Sequence, residues 1–166
     1  ELLLAVERHA TSKLPDENLS QLHWLGFRGE ALPSIGAVAR LTITSRVEAE
    51  AEAWSLIVNG GDIGDIQPAA RTAGTLVEVQ DLFFATPARL KFLKTPRTEF
   101  QHASDVLKRL AIARPEISFS LSDGERKTQN LPTNGLGLED ARLNRLTAIM
   151  GREFTDNLLT INAERE

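Results

Sequence analysis

The feature that most limits the fold of this chain is a series of strand-like segments spaced as hairpin-like pairs rather than as regular βαβ units. Leu41-Thr42-Ile43-Thr44-Ser45 alternates with the two-residue period of a strand, and residues 54–58 follow as an apolar, strand-like run. The acidic, Ala-rich stretch 48–52 between them reads as a solvated connection. Asn59-Gly60-Gly61-Asp62 is a strong turn signal. Gly74-Thr75 opens another strand, expected over 76–82. Ile117-Ser118-Phe119-Ser120-Leu121 alternates, turns at Asp123-Gly124 and returns through 126–128. Strands of this kind mixed with helices predict an α+β sandwich.

Helices are expected at 1–9, at a short segment capped by Asp16, at 30–38, and from Thr86-Pro87, which has the chemistry of a helix start. The longest is expected over 98–113. Phe100, Ala103, Val106, Leu107 and Leu110 recur there at three- and four-residue intervals, and Pro115 stops it. A further helix over 139–150 closes at Gly151, and a strand is expected at 158–161. The stretch 129–137, with one Pro and two Gly, predicts a linker. It divides a first domain over 1–128 from the beginning of a second over 138–166.

Composition removes several classes. There is no Cys, hence no disulfide framework and no thiolate metal site, which suits a reducing cytoplasm. The three His are scattered and suggest no metal cluster. No apolar run approaches the ~18 residues of a membrane span. The net charge of −4 excludes a chain that is polybasic throughout, but the charge is uneven. Residues 86–114 carry seven Lys or Arg against two acids, a local +5, and the remainder carries −9. Such asymmetry marks either a nucleic-acid face or the basic ends of solvated helices.

Three segments carry candidate chemistry. In Gly26-Phe27-Arg28-Gly29-Glu30-Ala31-Leu32, two glycines three apart precede a helix whose first N–H groups are free to meet an anion; a turn and cap would look the same. His9-Ala10-Thr11-Ser12-Lys13 supplies two hydroxyls and an ammonium suited to phosphate, or simply a capped turn. Thr75 puts a hydroxyl near the start of a strand, where it serves either a purine amino group or β propensity.

Taken together, in order and spacing, Arg8-His9-Ala10-Thr11-Ser12-Lys13, the Gly26 to Leu32 segment, Gly74-Thr75-Leu76-Val77-Glu78-Val79 and Asp81-Leu82-Phe83-Phe84-Ala85-Thr86-Pro87-Ala88-Arg89-Leu90-Lys91-Phe92-Leu93 resemble the MutL family of DNA mismatch repair proteins. The resemblance is strong to about residue 114 and looser through Gly151. It implies the gyrase B-type ATPase fold, a two-layer α/β sandwich with a mixed sheet, then a transducer-like (ribosomal protein S5-like) α/β domain. It implies ATP and Mg2+ as cofactors, ATP binding and slow hydrolysis that drive lid closure and dimerisation, and DNA as a partner.

On the same resemblance, Gly26, Phe27, Arg28, Gly29, Glu30, Ala31 and Leu32 form the lid segment that wraps the triphosphate. Thr11, Ser12 and Lys13 lie near the phosphates, and Thr75 helps hold the adenine amino group through an acid and water. DNA binding is the family's second activity, and some of Arg89, Lys91, Lys94 and Arg97, which flank Phe92 and Leu93 in the basic region, are expected to face the DNA backbone; the competing reading is that Arg89 or Lys91 ties its helix to the sandwich. A homodimer, a MutS-type mismatch-recognition protein, a helicase, a nicking endonuclease and a bacterial cytoplasmic location are implied by family, with no membrane association.

The family's E-x-x-x-N helix, which supplies base and magnesium ligand, and its D-x-G-x-G adenine loop are not found. Glu153 and Asn157 have the first spacing in the wrong order, and Asp62-Ile63-Gly64 lacks the second glycine. The chain is therefore expected to be a fragment, without catalytic residues or metal ligand and inactive alone, with apolar surface left uncovered. Another enzyme of the superfamily is disfavoured by the Asp81 to Leu93 block. A non-catalytic DNA-binding or dimerisation module of the same fold is the alternative.

Overall fold

In the computed structural model, residues 1–12, 26, 28–124, 127–133, 137–159 and 161 are described. The expected Asp16-capped helix lies outside them. Two compact units form, Glu1–Leu93 and Lys94–Glu166.

The first unit is a sheet covered on one face by short helices. Strands β1 (Arg40–Arg46), β2 (Ala53–Asn59), β3 (Asp62–Ile63), β4 (Gln67–Ala69) and β5 (Gly74–Gln80) pair antiparallel throughout, in the order β3-β2-β1-β5 with β4 also on β2. The expectation of a mixed sheet meets an all-antiparallel set because the β1–β2 connection is a hairpin, too short for a parallel crossover.

Register decides the faces. Leu41 and Ile43 lie opposite Val58 and Leu56 on one side and opposite Val79 and Val77 on the other, so these six share one face. Leu41, Ile43, Leu56 and Val58 are buried there with Val6, and Leu2, Leu32 and Ile35 pack against them. Burial of Leu41 and Leu56, both fully inaccessible, contributes about 1.5–3 kcal/mol each.

The covering residues come from α1 (Leu2–Ala5) and α2 (Ala31–Gly36). Helix α1 is shorter than the expected 1–9: the chain turns after Val6, and His9 has a φ of 65° that no right-handed helix accommodates. At the end of α2, Gly36 admits Val58, whose Cγ1 would lie 2.9 Å from a Cβ at that position. The Gly61 amide donates to Gly36 O at 2.9 Å and the Gly60 amide to Ala39 O at 3.1 Å, tying the β2–β3 turn to the helix end.

Strand β5 ends at Gln80 rather than 82 because Asp81 and Phe83 both take positive φ, 49° and 70°. Arg40 holds this turn: its Nε donates to Asp81 Oδ2 at 2.9 Å and its guanidinium lies 4.6 Å from the Phe84 ring centroid. All seven residues of β5 are exposed, and among the described strands it pairs with β1 alone. Helix α3 (Pro87–Leu90) follows.

The second unit contains α4 (Pro96–Ala113), the hairpin β6 (Phe119–Ser122) and β7 (Lys127–Leu131), α5 (Leu138–Met150) and α6 (Arg152–Asp156). Helix α4 begins earlier than expected. Thr95 is its N-cap, accepting from the Thr98 amide, while Glu99 Oε1 accepts from the Lys94 amide at 2.7 Å.

The buried stripe of α4 is also turned relative to the expected one. Ser104 and Ala111 are buried, whereas Ala103 is exposed and Val106 is 54% exposed. The inner row is 100, 104, 107, 111, and Ser104 is accommodated in it because its hydroxyl donates to Gln129 Oε1 at 3.2 Å. Strand β7 runs through Leu131, into the stretch whose Pro and Gly content suggested a linker. The described residues among 158–161 form no strand.

Candidate functional site

The faces set by register determine which polar groups meet a cavity. On the helix-covered face, Ser45 lies directly opposite Trp54 on β2 and Thr75 on β5, giving a row of one indole and two hydroxyls across three strands. Ser45 Oγ and Thr75 Oγ1 are hydrogen-bonded at 2.9 Å. They open on a cleft of about 660 Å³ between the sheet and α1, with Leu2, Ile43, Ile66 and Val77 among its apolar walls. Glu50 and Glu52, from the β1–β2 connection, also line it. Thr75 is thus a side chain of the cleft as well as a strand former.

A second recess of about 830 Å³ is lined by Thr11, Ser12, Gly26, Arg28, Gly29, Glu30, Ala31 and Leu32. Eight of the eleven residues expected to meet phosphate or purine are therefore gathered on it, and Thr75 faces the cleft. Lys13 and Phe27 lie outside the described residues. Ala5 and Leu32 belong to both linings, so the two recesses are neighbours separated by those side chains.

Two contacts bring the segments around 10 and 29 together. Gly29 has a φ of 62°, and a Cβ there would lie 2.3 Å from Ala10 O. Beside it, His9 Nδ1 and Glu30 Oε1 are 3.5 Å apart, both well exposed. Glu30 is the N-cap of α2, and its own side chain makes no capping bond to that helix.

Chemically, the cleft presents an apolar slot with one hydroxyl pair and with Glu1, Glu50 and Glu52 on its lining, and the recess presents hydroxyls, a guanidinium, the Glu30 carboxylate and loop backbone. An aromatic heterocycle suits the former and an anion the latter. Among the described residues no three His, Asp or Glu converge to hold a metal ion.

Of the four basic residues, Arg89 stands in the last turn of α3 and Lys91 at its C-cap, while Arg97 is in the first turn of α4. These three and Lys94 are exposed, and among the described residues none of their side chains pairs with a carboxylate. Arg89 and Lys91 belong to the first unit, Lys94 and Arg97 to the second.

Sequence reasoning missed Ser45. Its place in an alternating strand shows that it shares a face with Leu41 and Ile43, but its partner on β5 depends on a register between segments some thirty residues apart. No described helix is long and apolar enough to cross a membrane.

Comparison with known proteins bears on this geometry. No family model matches the chain. Over all 166 residues it is 61% identical to the DNA mismatch repair protein MutL of Rhodospirillum rubrum and 58% identical to that of Paramagnetospirillum magneticum. It spans about a quarter of the length of these relatives, 26% and 27%. Among solved structures, it resembles the Aquifex aeolicus MutL ATPase domain complexed with ADP, with a TM-score of 0.66 and 33% identity over 73% of this chain and 48% of that one. The N-terminal domain of a DNA repair protein matches with a TM-score of 0.61 and 27% identity, covering 89% of this chain and 43% of the other.

Proposed function

From a chain that is MutL-family sequence along its whole length, with the fold of MutL ATPase domains, we propose that the helix-covered face of its first sheet is the nucleotide side of an ATPase acting in DNA mismatch repair. The observation that carries this is the adjacency of the two recesses across Ala5 and Leu32, one apolar with hydroxyls and one polar with a guanidinium. A purine fits the first and a triphosphate the second. The solved ADP complex of a relative supports a nucleotide as the ligand.

In this reading Thr75 faces the adenine amino group, and Thr11, Ser12, Lys13 and the backbone from Gly26 to Leu32 surround the phosphates. ATP binding closes this segment and dimerises the protein, coupling a MutS-type mismatch-recognition partner to a helicase and a nicking endonuclease in the bacterial cytoplasm. Residues 138–166 begin a transducer-like second domain.

Hydrolysis needs a positioned base and a held metal, and these 166 residues supply neither in the family's order. The 166-residue chain alone is expected to show no ATP hydrolysis, whereas the intact gene product turns ATP over slowly. Thr75→Val in the intact product is expected to weaken ATP binding about tenfold, read by equilibrium titration. Hydrolysis by the 166-residue chain, abolished by Thr75→Val, would overturn the first expectation; unchanged affinity in Thr75→Val would overturn the reading of the cleft.

The same family reading assigns the basic residues to DNA phosphates. They are exposed and, among the described residues, form no ion pair, and phosphate contacts of this kind release counterions. Because the residues are divided between two units, the test takes them in pairs. Reversing Arg89 and Lys91 together, or Lys94 and Arg97 together, is expected to flatten the slope of log K against log salt by roughly 2. A slope unchanged in both double variants, measured by DNA titration between 50 and 200 mM salt, would remove these residues from the DNA contact.

A further inference from the structure

We infer that Ser45 is a positioning residue for base recognition, acting through Thr75; the inference rests on the nucleotide reading of the cleft and names a residue that reading does not contain. The two hydroxyls are 2.9 Å apart on the cleft side of neighbouring strands, and they are directly opposed in the β1–β5 register. Neither makes another side-chain hydrogen bond among the described residues.

A hydroxyl carries one proton and two lone pairs. In a bonded pair one proton is consumed between the oxygens, leaving one proton and several lone pairs to face the cleft. Such a pair presents a donor beside an acceptor, the complement of a heterocycle edge that carries an amino group next to a ring nitrogen. A lone threonine hydroxyl rotates among its staggered positions and presents one group at a time. Ser45 thus removes rotational freedom from Thr75 before the ligand arrives and adds the second half of the complement.

The sheet contains its own control. Thr44 Oγ1 donates to Ser55 Oγ at 3.2 Å across β1 and β2, one residue along and therefore on the opposite face. This pair has the same chemistry in the same sheet but does not face the cleft. Removing either pair costs the sheet one inter-strand hydroxyl bond, and only the Ser45–Thr75 pair meets the ligand.

The experiment is titration of the intact gene product with ATP and, separately, with inorganic tripolyphosphate, which has the phosphates without the base. Ser45→Ala is expected to weaken ATP about three- to tenfold and leave tripolyphosphate unchanged. Ser45→Thr, which keeps the hydroxyl on a strand-favouring residue, restores ATP affinity. Ser55→Ala leaves both ligands unchanged. The double variant Ser45→Ala/Thr75→Val binds ATP no more weakly than Thr75→Val alone, because the pair acts as one unit. If Thr75→Val weakens ATP while Ser45→Ala does not, or if Ser45→Ala weakens both ligands equally, the positioning role falls and the cleft reading stands. If neither variant changes ATP affinity, the nucleotide reading of the cleft falls with it.

Discussion

Arg145→Ala is expected to destabilise the unit of residues 94–166 by about 3–5 kcal/mol, the largest effect of any single substitution there. Arg145 sits on α5 with only 3% of its surface accessible. Its Nη1 donates to Ala111 O at 3.1 Å, and its Nη2 donates to Pro115 O, Ile117 O and Pro132 O at 3.3, 2.9 and 3.4 Å. Four carbonyls from the end of α4, the approach to β6 and the exit of β7 therefore converge on one guanidinium. Ala111 belongs to the last turn of α4, where unpaired carbonyls concentrate negative potential, so a cation is favoured there. The Phe119 ring centroid lies 5.8 Å from the guanidinium carbon.

Truncation to Ala would remove this donor from two buried bonds, to Ala111 O and Pro115 O, and two part-buried ones, to Ile117 O and Pro132 O, and each buried group left orphaned costs about 1–3 kcal/mol unless water enters. Arg145→Lys tests geometry against charge. A single ammonium cannot reproduce a planar fork that spans four acceptors, so Lys is expected to recover less than half of the loss. Urea unfolding of the intact gene product, with hydrogen exchange over residues 111–132 as the local readout, measures both. A cost below about 1 kcal/mol for Arg145→Ala would mean that the carbonyls are hydrated and the clasp is not structural.

Nothing in the sequence marks Arg145 out. It is one of several charged residues on a helix with no clean apolar face, and its value depends on where four backbone carbonyls from distant segments end up. The same holds for Ser104, a polar residue outside the expected apolar stripe that is buried where Gln129 meets it. Features fixed by local chemistry were legible. The alternation at 41–45, the turn at 59–62, the Pro-started helix at 87 and the helix over 138–150 closed by Gly151 follow from neighbours in the chain. The limits of the elements were less so: β5 stops where Asp81 and Phe83 turn left-handed, and Arg40, forty-one residues away, secures that turn. For the candidate site the residue types were readable but the partnerships were not. Thr75 stood out as a hydroxyl on a strand, and Ser45, its partner at 2.9 Å, did not.

The glycines of the Gly26 to Leu32 segment look equivalent in sequence, and the structure separates them. Gly29→Ala is expected to weaken ATP binding by the intact gene product a hundredfold or more, whereas Gly26→Ala is expected to weaken it tenfold at most. Both residues have positive φ, 62° and 90°, and each substitution carries about 1–2 kcal/mol of backbone strain. Only Gly29 adds a collision: its Cβ would lie 2.3, 2.7 and 2.9 Å from the O, C and N of Ala10, all backbone atoms that no rotamer change can move. At Gly26 nothing described lies within 4 Å. Relief at Gly29 requires the 28–30 segment to part from 9–12, pulling Arg28 and Glu30 away from Thr11 and Ser12, with which they line the same recess. The His9–Glu30 pair cannot compensate. At 3.5 Å, with side chains 77% and 49% exposed, it contributes at most about 1 kcal/mol, so His9→Ala is expected to change ATP affinity less than Gly29→Ala does. Equal affinities for Gly29→Ala and Gly26→Ala would show that the backbone approach is not what holds the recess together. A His9→Ala variant as weak as Gly29→Ala would move that role to the His9–Glu30 contact.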